Sequence, residues 1–184
     1  MFGRYSRGVC LAVLCSLLWL ASRAGAQDLE IARQTLISPQ EGEEIVVTAS
    51  ELQRSIHPKP DCSHLVNRVY SEAGFDYEFA TSRELFDGVD SFKRVSTPQA
   101  GDLIVWRGHV GIVVDPESHQ FYSALRVRIS ISDYKSPYWI RRGKSRFYRY
   151  RAQATPARAL ALSNDEGGVN NQALRLKFFR FFAD

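Results

Sequence analysis

Cysteine is scarce in this chain of 184 residues, and its scarcity excludes a good deal. Two of the three cysteines, Cys10 and Cys15, fall within the first 26 residues, so Cys62 stands alone in the remainder. A single thiol can form no internal disulfide, and the fold has to hold by its apolar core. Metal-site patterning is missing too: the four histidines (His57, His64, His109, His119) are scattered, with no i, i+4 pair and no cysteine cluster, so no metal centre and no cofactor is expected. No apolar run is long enough to span a bilayer, which takes about 20 residues; Val9 to Ala21 falls short. The chain has no internal repeat and no low-complexity tract. Charge of one sign is absent only at the start, where Arg4, Arg7 and Arg23 meet no acid over residues 1–26.

That acid-free start, an apolar run and the closing Ala24-Gly25-Ala26 have the layout of a secretory signal, with cleavage expected between Ala26 and Gln27. Leu14 before Cys15 is too large for a lipoprotein signal. The expectation is an exported protein, periplasmic or extracellular, with no membrane insertion after cleavage. Much of the formal charge of +4 would leave with those arginines, so the mature chain is close to neutral and gives no reason to expect a nucleic-acid partner.

Along the mature chain, residues 27–42 read as a lead-in broken by Pro39 and Gly42. "EEIVVTASELQRS" (43–55) places Ile45, Val46, Ala49 and Leu52 at helical spacing. After the proline-broken "IHPKP" a second helix is expected, with Asp61 as N-cap. Leu65, Val66, Val69, Tyr70 and Ala73 lie on one face, and Gly74 closes it. Thr81 and Glu84 have capping-box spacing before a short third helix. From Gly101 onward "DLIVW", "HVGIVV", "QFYSAL", "RVRISISD" and "SRFYRYR" read as strands separated by turn signals, with Val127, Ile129 and Ile131 on one face of the fourth. Helices followed by neighbouring strands imply an α+β fold with a mainly antiparallel sheet over residues 43–151. Residues 152–184 read as a linker and tail.

Cys62 is then the first residue of a helix whose apolar stripe starts only at Leu65. A helix start favours thiolate over thiol, and its open N–H groups can hold an oxyanion. The polar neighbours Asp61, Ser63 and His64 argue against a thiol that merely fills the core. A thiolate nucleophile needs a histidine to take and return a proton. His57 lies between prolines, His64 is too close along the same helical turn, and His119 falls in a turn. His109 opens a strand directly after Gly108 and is the favoured base.

Taken together, "DCSHLVNRVYSEAGF", "STPQAGDLIVWRGHVGIVV", "QFYSA" and the later "YKSPYWIRRGKSRFYRY" resemble the NlpC family of papain-like cell-wall cysteine peptidases. That family's pattern is an Asp-Cys-Ser helix start, a Gly-Asp-Leu strand, a His-Val-Gly-Ile strand and a Phe-x-His-Ala strand. The resemblance implies a cysteine nucleophile on a helix packed against a small antiparallel sheet, cutting peptide bonds in peptidoglycan stem peptides. The alternatives are another acyl-transfer reaction on the same scaffold, as in an amidase or thioesterase, and a catalytically silent wall-binding domain. A monomer is expected. By position, Cys62 is the nucleophile and His109 the base, and Asp61, Ser63 and His64 are the expected substrate contacts.

Three departures stand out. The family's third polar residue, commonly a second histidine, is replaced by Ser123, whose hydroxyl brings no charge. Ser123, His119 on the same strand parity, or a backbone carbonyl or water are the alternatives for orienting His109. The tyrosine- and glycine-rich stretch that usually precedes the cysteine is also missing: "RSIHPKP" stands there, and His64 occupies a position where the family often has glycine.

Overall fold

A computed structural model describes residues 34–153. The expected signal segment and most of the C-terminal tail lie outside the described residues. The elements run β1 (Gln34–Leu36), α1 (Pro39–Ser55), α2 (Cys62–Glu72), α3 (Ser82–Asp87), β2 (Phe92–Val95), β3 (Leu103–Trp106), β4 (His109–Asp115), β5 (Gln120–Ala124), β6 (Ile129–Asp133), α4 (Pro137–Arg141) and β7 (Arg146–Gln153). This is the expected α+β arrangement, and every strand pairing is antiparallel. The sheet order is β1-β7-β3-β4-β5-β6, with β2 also on β7.

Sheet parity divides the interior in two. Side chains alternate across a strand, so Leu103, Val105, Val110, Ile112, Tyr122 and Ala124 face the three N-terminal helices. There they meet Ile45, Val46, Ala49, Leu65, Val66 and Val69, all buried. Ile104, Trp106, Val113 and Phe121 face the other way, against Tyr134 and Trp139. The helical faces read from the sequence are therefore the faces that are buried, with Leu65, Val66, Val69 and Tyr70 fully so. Each such aliphatic contributes roughly 1.5–3 kcal/mol by leaving water.

Helix α1 begins earlier than the apolar spacing suggests. Pro39 occupies the first turn, where its missing N–H costs nothing, and Ser38 and Glu41 form a capping box. Gly42 is no breaker either: it is buried within α1, and a Cβ there would run into the carbonyl of Ala100. The close crossing of α1 over Ala100–Gly101 explains why a helix carries glycine at that point. The capping box expected at Thr81 and Glu84 is formed at the start of α3.

Three elements have no counterpart in the sequence reading: β1, β2 and α4. One apolar face was also drawn too long. Ile129 and Ile131 pack against the core, but Val127 is 87% exposed in the loop before β6. Beneath the sheet, the carboxylate of Asp102 is fully buried and grips Arg149 through two hydrogen bonds, 2.9 Å from Nε and 2.8 Å from Nη2. It also accepts from the Gln99 N–H at 2.8 Å. This pair locks β7 to the turn that launches β3.

Candidate functional site

The Cys62 end of the site is built by a cap. Asp61 adopts extended backbone and its Oδ1 accepts from the N–H groups of Ser63 (2.8 Å) and His64 (3.0 Å). Its Oδ2 meets the His64 ring nitrogen Nδ1 at 2.7 Å. Burial works against the Asp61 carboxylate, but the hydrogen bonds from His64 and Ser63 outweigh it and hold the group below its ordinary range. Cys62 follows as the first helical residue, half-buried and packed on the core. Because Asp61 occupies the next two amides, the N–H of Cys62 itself is the one left without a hydrogen-bond partner among the described residues.

Ser63 is placed differently from its exposed neighbours. It is buried, and its hydroxyl accepts from the backbone N–H of Ser82 at 3.0 Å, tying α2 to the start of α3. His64 is exposed and stacks on Phe79, with ring centroids 4.3 Å apart. The two rings form an open aromatic ledge beside Asp61 and Cys62.

The His109 end is largely buried. His109 opens β4 opposite Trp106 and is only 7% exposed. Its Nε2 lies 3.0 Å from the Oγ of Ser123, which is fully buried on β5. The register places Tyr122 opposite Ile112 and Phe121 opposite Val113, so Ser123 comes level with Gly111. His109 and Ser123 thus share a face, and Gly111 clears the space between them: a Cβ there would lie 2.5 Å from the Phe121 ring and 3.0 Å from the Ser123 Cβ. Trp139 of α4 lies against the imidazole at 4.8 Å between centroids, and Trp106 and Phe121 complete the aromatic wall. Burial, and after it the positive charge of Arg142, push the His109 imidazole down from its ordinary 6.5 to about 4. It is therefore neutral at physiological pH, with Nε2 committed to Ser123 and Nδ1 making no hydrogen bond among the described residues.

His119 takes no part in this arrangement. It sits in the turn before β5 with a left-handed φ of 58°, its ring 5.2 Å from Tyr134. Of the alternatives for a partner to His109, Ser123 is the one hydrogen-bonded to it.

The two ends are connected through the loops. Helix α2 packs against β4 and β5. Lys59, three residues before Cys62, donates to the carbonyls of Leu125 and Arg126 (3.2 Å to the latter), just beyond Ser123. Lys59, Trp139 and Arg142 were all missed by sequence reasoning. Ser136-Pro137 is the sort of pair that starts a helix and could have flagged α4, but a five-residue helix without a side-chain cap leaves little periodicity to read. Among the described residues no cluster of three or more His, Cys, Asp or Glu could hold a metal ion.

The NlpC/P60 family model matches residues 50–146, a span that includes Cys62, His109 and Ser123. No curated protein matches the chain.

Proposed function

The chain belongs to the NlpC/P60 family of cell-wall peptidases and hydrolases, and from that premise we propose that it is an exported cysteine peptidase cutting peptide bonds in peptidoglycan stem peptides. The observation that carries the reading is the His109–Ser123 hydrogen bond at 3.0 Å, which fixes an uncharged imidazole and leaves its Nδ1 for chemistry. Lys59 supports it by holding the segment before Cys62 against the loop after Ser123.

In this reading Cys62 Sγ attacks the scissile carbonyl while His109 takes the thiol proton, forming the S–C bond and a tetrahedral oxyanion. The open N–H of Cys62 is a donor to that oxyanion. Collapse breaks the C–N bond, and the imidazolium returns its proton to the leaving amine. A histidine whose charged form is disfavoured by burial is a reluctant base but an eager acid, which helps this second step. Water then attacks the thioester, giving its proton to His109, and the carboxylate product leaves as the thiol is restored. Residues 1–26, read as a secretory signal, would bring the enzyme to the wall.

The test is hydrolysis of purified peptidoglycan by full-length wild type, Cys62→Ala and His109→Gln, with products read by mass spectrometry. New amino termini should appear with wild type and fall by about 10³-fold or more in either variant. New reducing ends in their place, or full activity in Cys62→Ala, would overturn the reading.

A further inference from the structure

Beside His109, between the loop that follows β5 and helix α4, lies an open cleft of about 560 Å³. His109, Leu125, Val127 and Trp139 line it together with three arginines, Arg126, Arg128 and Arg142. No carboxylate lines the cleft, and none of the three arginines forms an ion pair among the described residues. Three cations gathered without a counterion around one concavity repel each other, and such an arrangement is relieved by an anion.

The backbone carrying Arg126 and Arg128 and the side chain of Arg142 are held in place. The loop bearing Arg126 and Arg128 is closed by a hydrogen bond from the Leu125 N–H to the Arg128 carbonyl at 2.8 Å. Lys59 pins the same loop through the carbonyls of Leu125 and Arg126. Across the cleft, Arg142 donates to the Tyr138 hydroxyl at 3.1 Å and lies 5.3 Å from the centre of the Trp139 ring. A guanidinium steadied against aromatic rings is well suited to hold a planar carboxylate through paired N–H donors.

Resting on the hydrolase reading above, we propose that this cleft is a carboxylate-binding subsite in which Arg126, Arg128 and Arg142 hold an acidic group on the amine half of the substrate. The amine half is assigned by the chemistry. The group that protonates the leaving nitrogen must stand within hydrogen-bond reach of it, so the cleft walled by His109 receives the fragment that departs. The preferred bond is then one whose released amine carries a free carboxylate close by.

The experiment uses a stem tripeptide with a free C-terminal carboxylate and the same tripeptide amidated at that end, each cleavable before its last residue. Full-length wild type should cleave the acid with kcat/KM at least about 10-fold above the amide. In Arg128→Gln and Arg142→Gln that ratio should fall towards one. Equal kcat/KM for acid and amide in wild type, or a ratio untouched by both substitutions, overturns the proposal. Calorimetric titration of both tripeptides into full-length Cys62→Ala reads the subsite without turnover. If neither tripeptide is cleaved, tighter binding of the acid that is lost in Arg128→Gln still supports the subsite, and only the hydrolase reading fails. Equal binding of the two in that case overturns the subsite as well.

Discussion

The surroundings of Cys62 and of His109 differ in almost every respect. Cys62 stands at a half-open helix start among exposed, polar neighbours: Asp61, capping two amides, and His64, stacked on Phe79. His109 is largely buried against Trp106, Phe121 and Trp139, and its partner Ser123 carries no charge. In a triad with a carboxylate, the third group stabilises the imidazolium. Here burial and Arg142 act against the imidazolium, so the resting imidazole is neutral. In the proposed mechanism the contrast has a use: the open end would present the thiol to substrate, and the largely buried end would keep the proton acceptor uncharged where it meets the cleft.

The sharpest way to break the contrast is to crowd the buried end. Gly111→Ala would put a methyl group 2.5 Å from the Phe121 ring and 2.7 Å from the Tyr122 carbonyl oxygen. Overpacking of this kind costs about 1–3 kcal/mol, and the displaced Ser123 should take most of the activity with it. Thermal unfolding alongside peptide hydrolysis checks this; an unshifted melting temperature with full activity would mean that the β4–β5 pairing is looser than described.

The next effect is on pH. With His109 at about 4, the acid limb it imposes on kcat/KM should lie near pH 4, below the ordinary histidine value of 6.5. Removing the cation in Arg142→Gln should move this limb upward, though not to 6.5, because burial is the larger cause. Stability follows the same sign. The unfolded chain takes up the proton below 6.5 and the folded one refuses it until about 4, so stability is lost as pH falls through that window, by about 3 kcal/mol at most from this group. Chemical denaturation of wild type and His109→Gln at pH 7 and pH 4.5 measures it: the variant should lose less stability on acidification.

A smaller effect is expected from the orienting hydroxyl. Ser123→Ala should lower kcat with little change in KM, since it frees the imidazole without touching substrate. His119→Ala should leave both unchanged, because His119 contacts Tyr134 and not His109. A silent Ser123→Ala would reduce the hydroxyl to a packing role.

The open end was more legible in the sequence than the buried one, for a physical reason. A helix start announces itself locally: Asp61 as cap, Cys62 next, and the stripe from Leu65 all lie within one short stretch. His109 and Ser123 could also be paired, because strand parity is a rule that survives without knowledge of the third dimension. What encloses them could not. Trp139 comes from a helix of one turn, and β2, with Lys93 and Arg94 at its centre, exists only because β7 offers it a partner. Arg126 and Arg128 looked like the polar face of a strand until the loop before β6 proved to start the cleft.

Trp139 has one more consequence. The only tryptophans among the described residues, Trp106 and Trp139, have rings 4.6 Å apart, and both stand next to the His109 imidazole. Indole emission is quenched by a protonated imidazole in contact with it, so the fluorescence of this pair should dim as His109 gains its proton. The fold therefore carries a built-in optical indicator beside His109, able to report the protonation of one buried ring without a label.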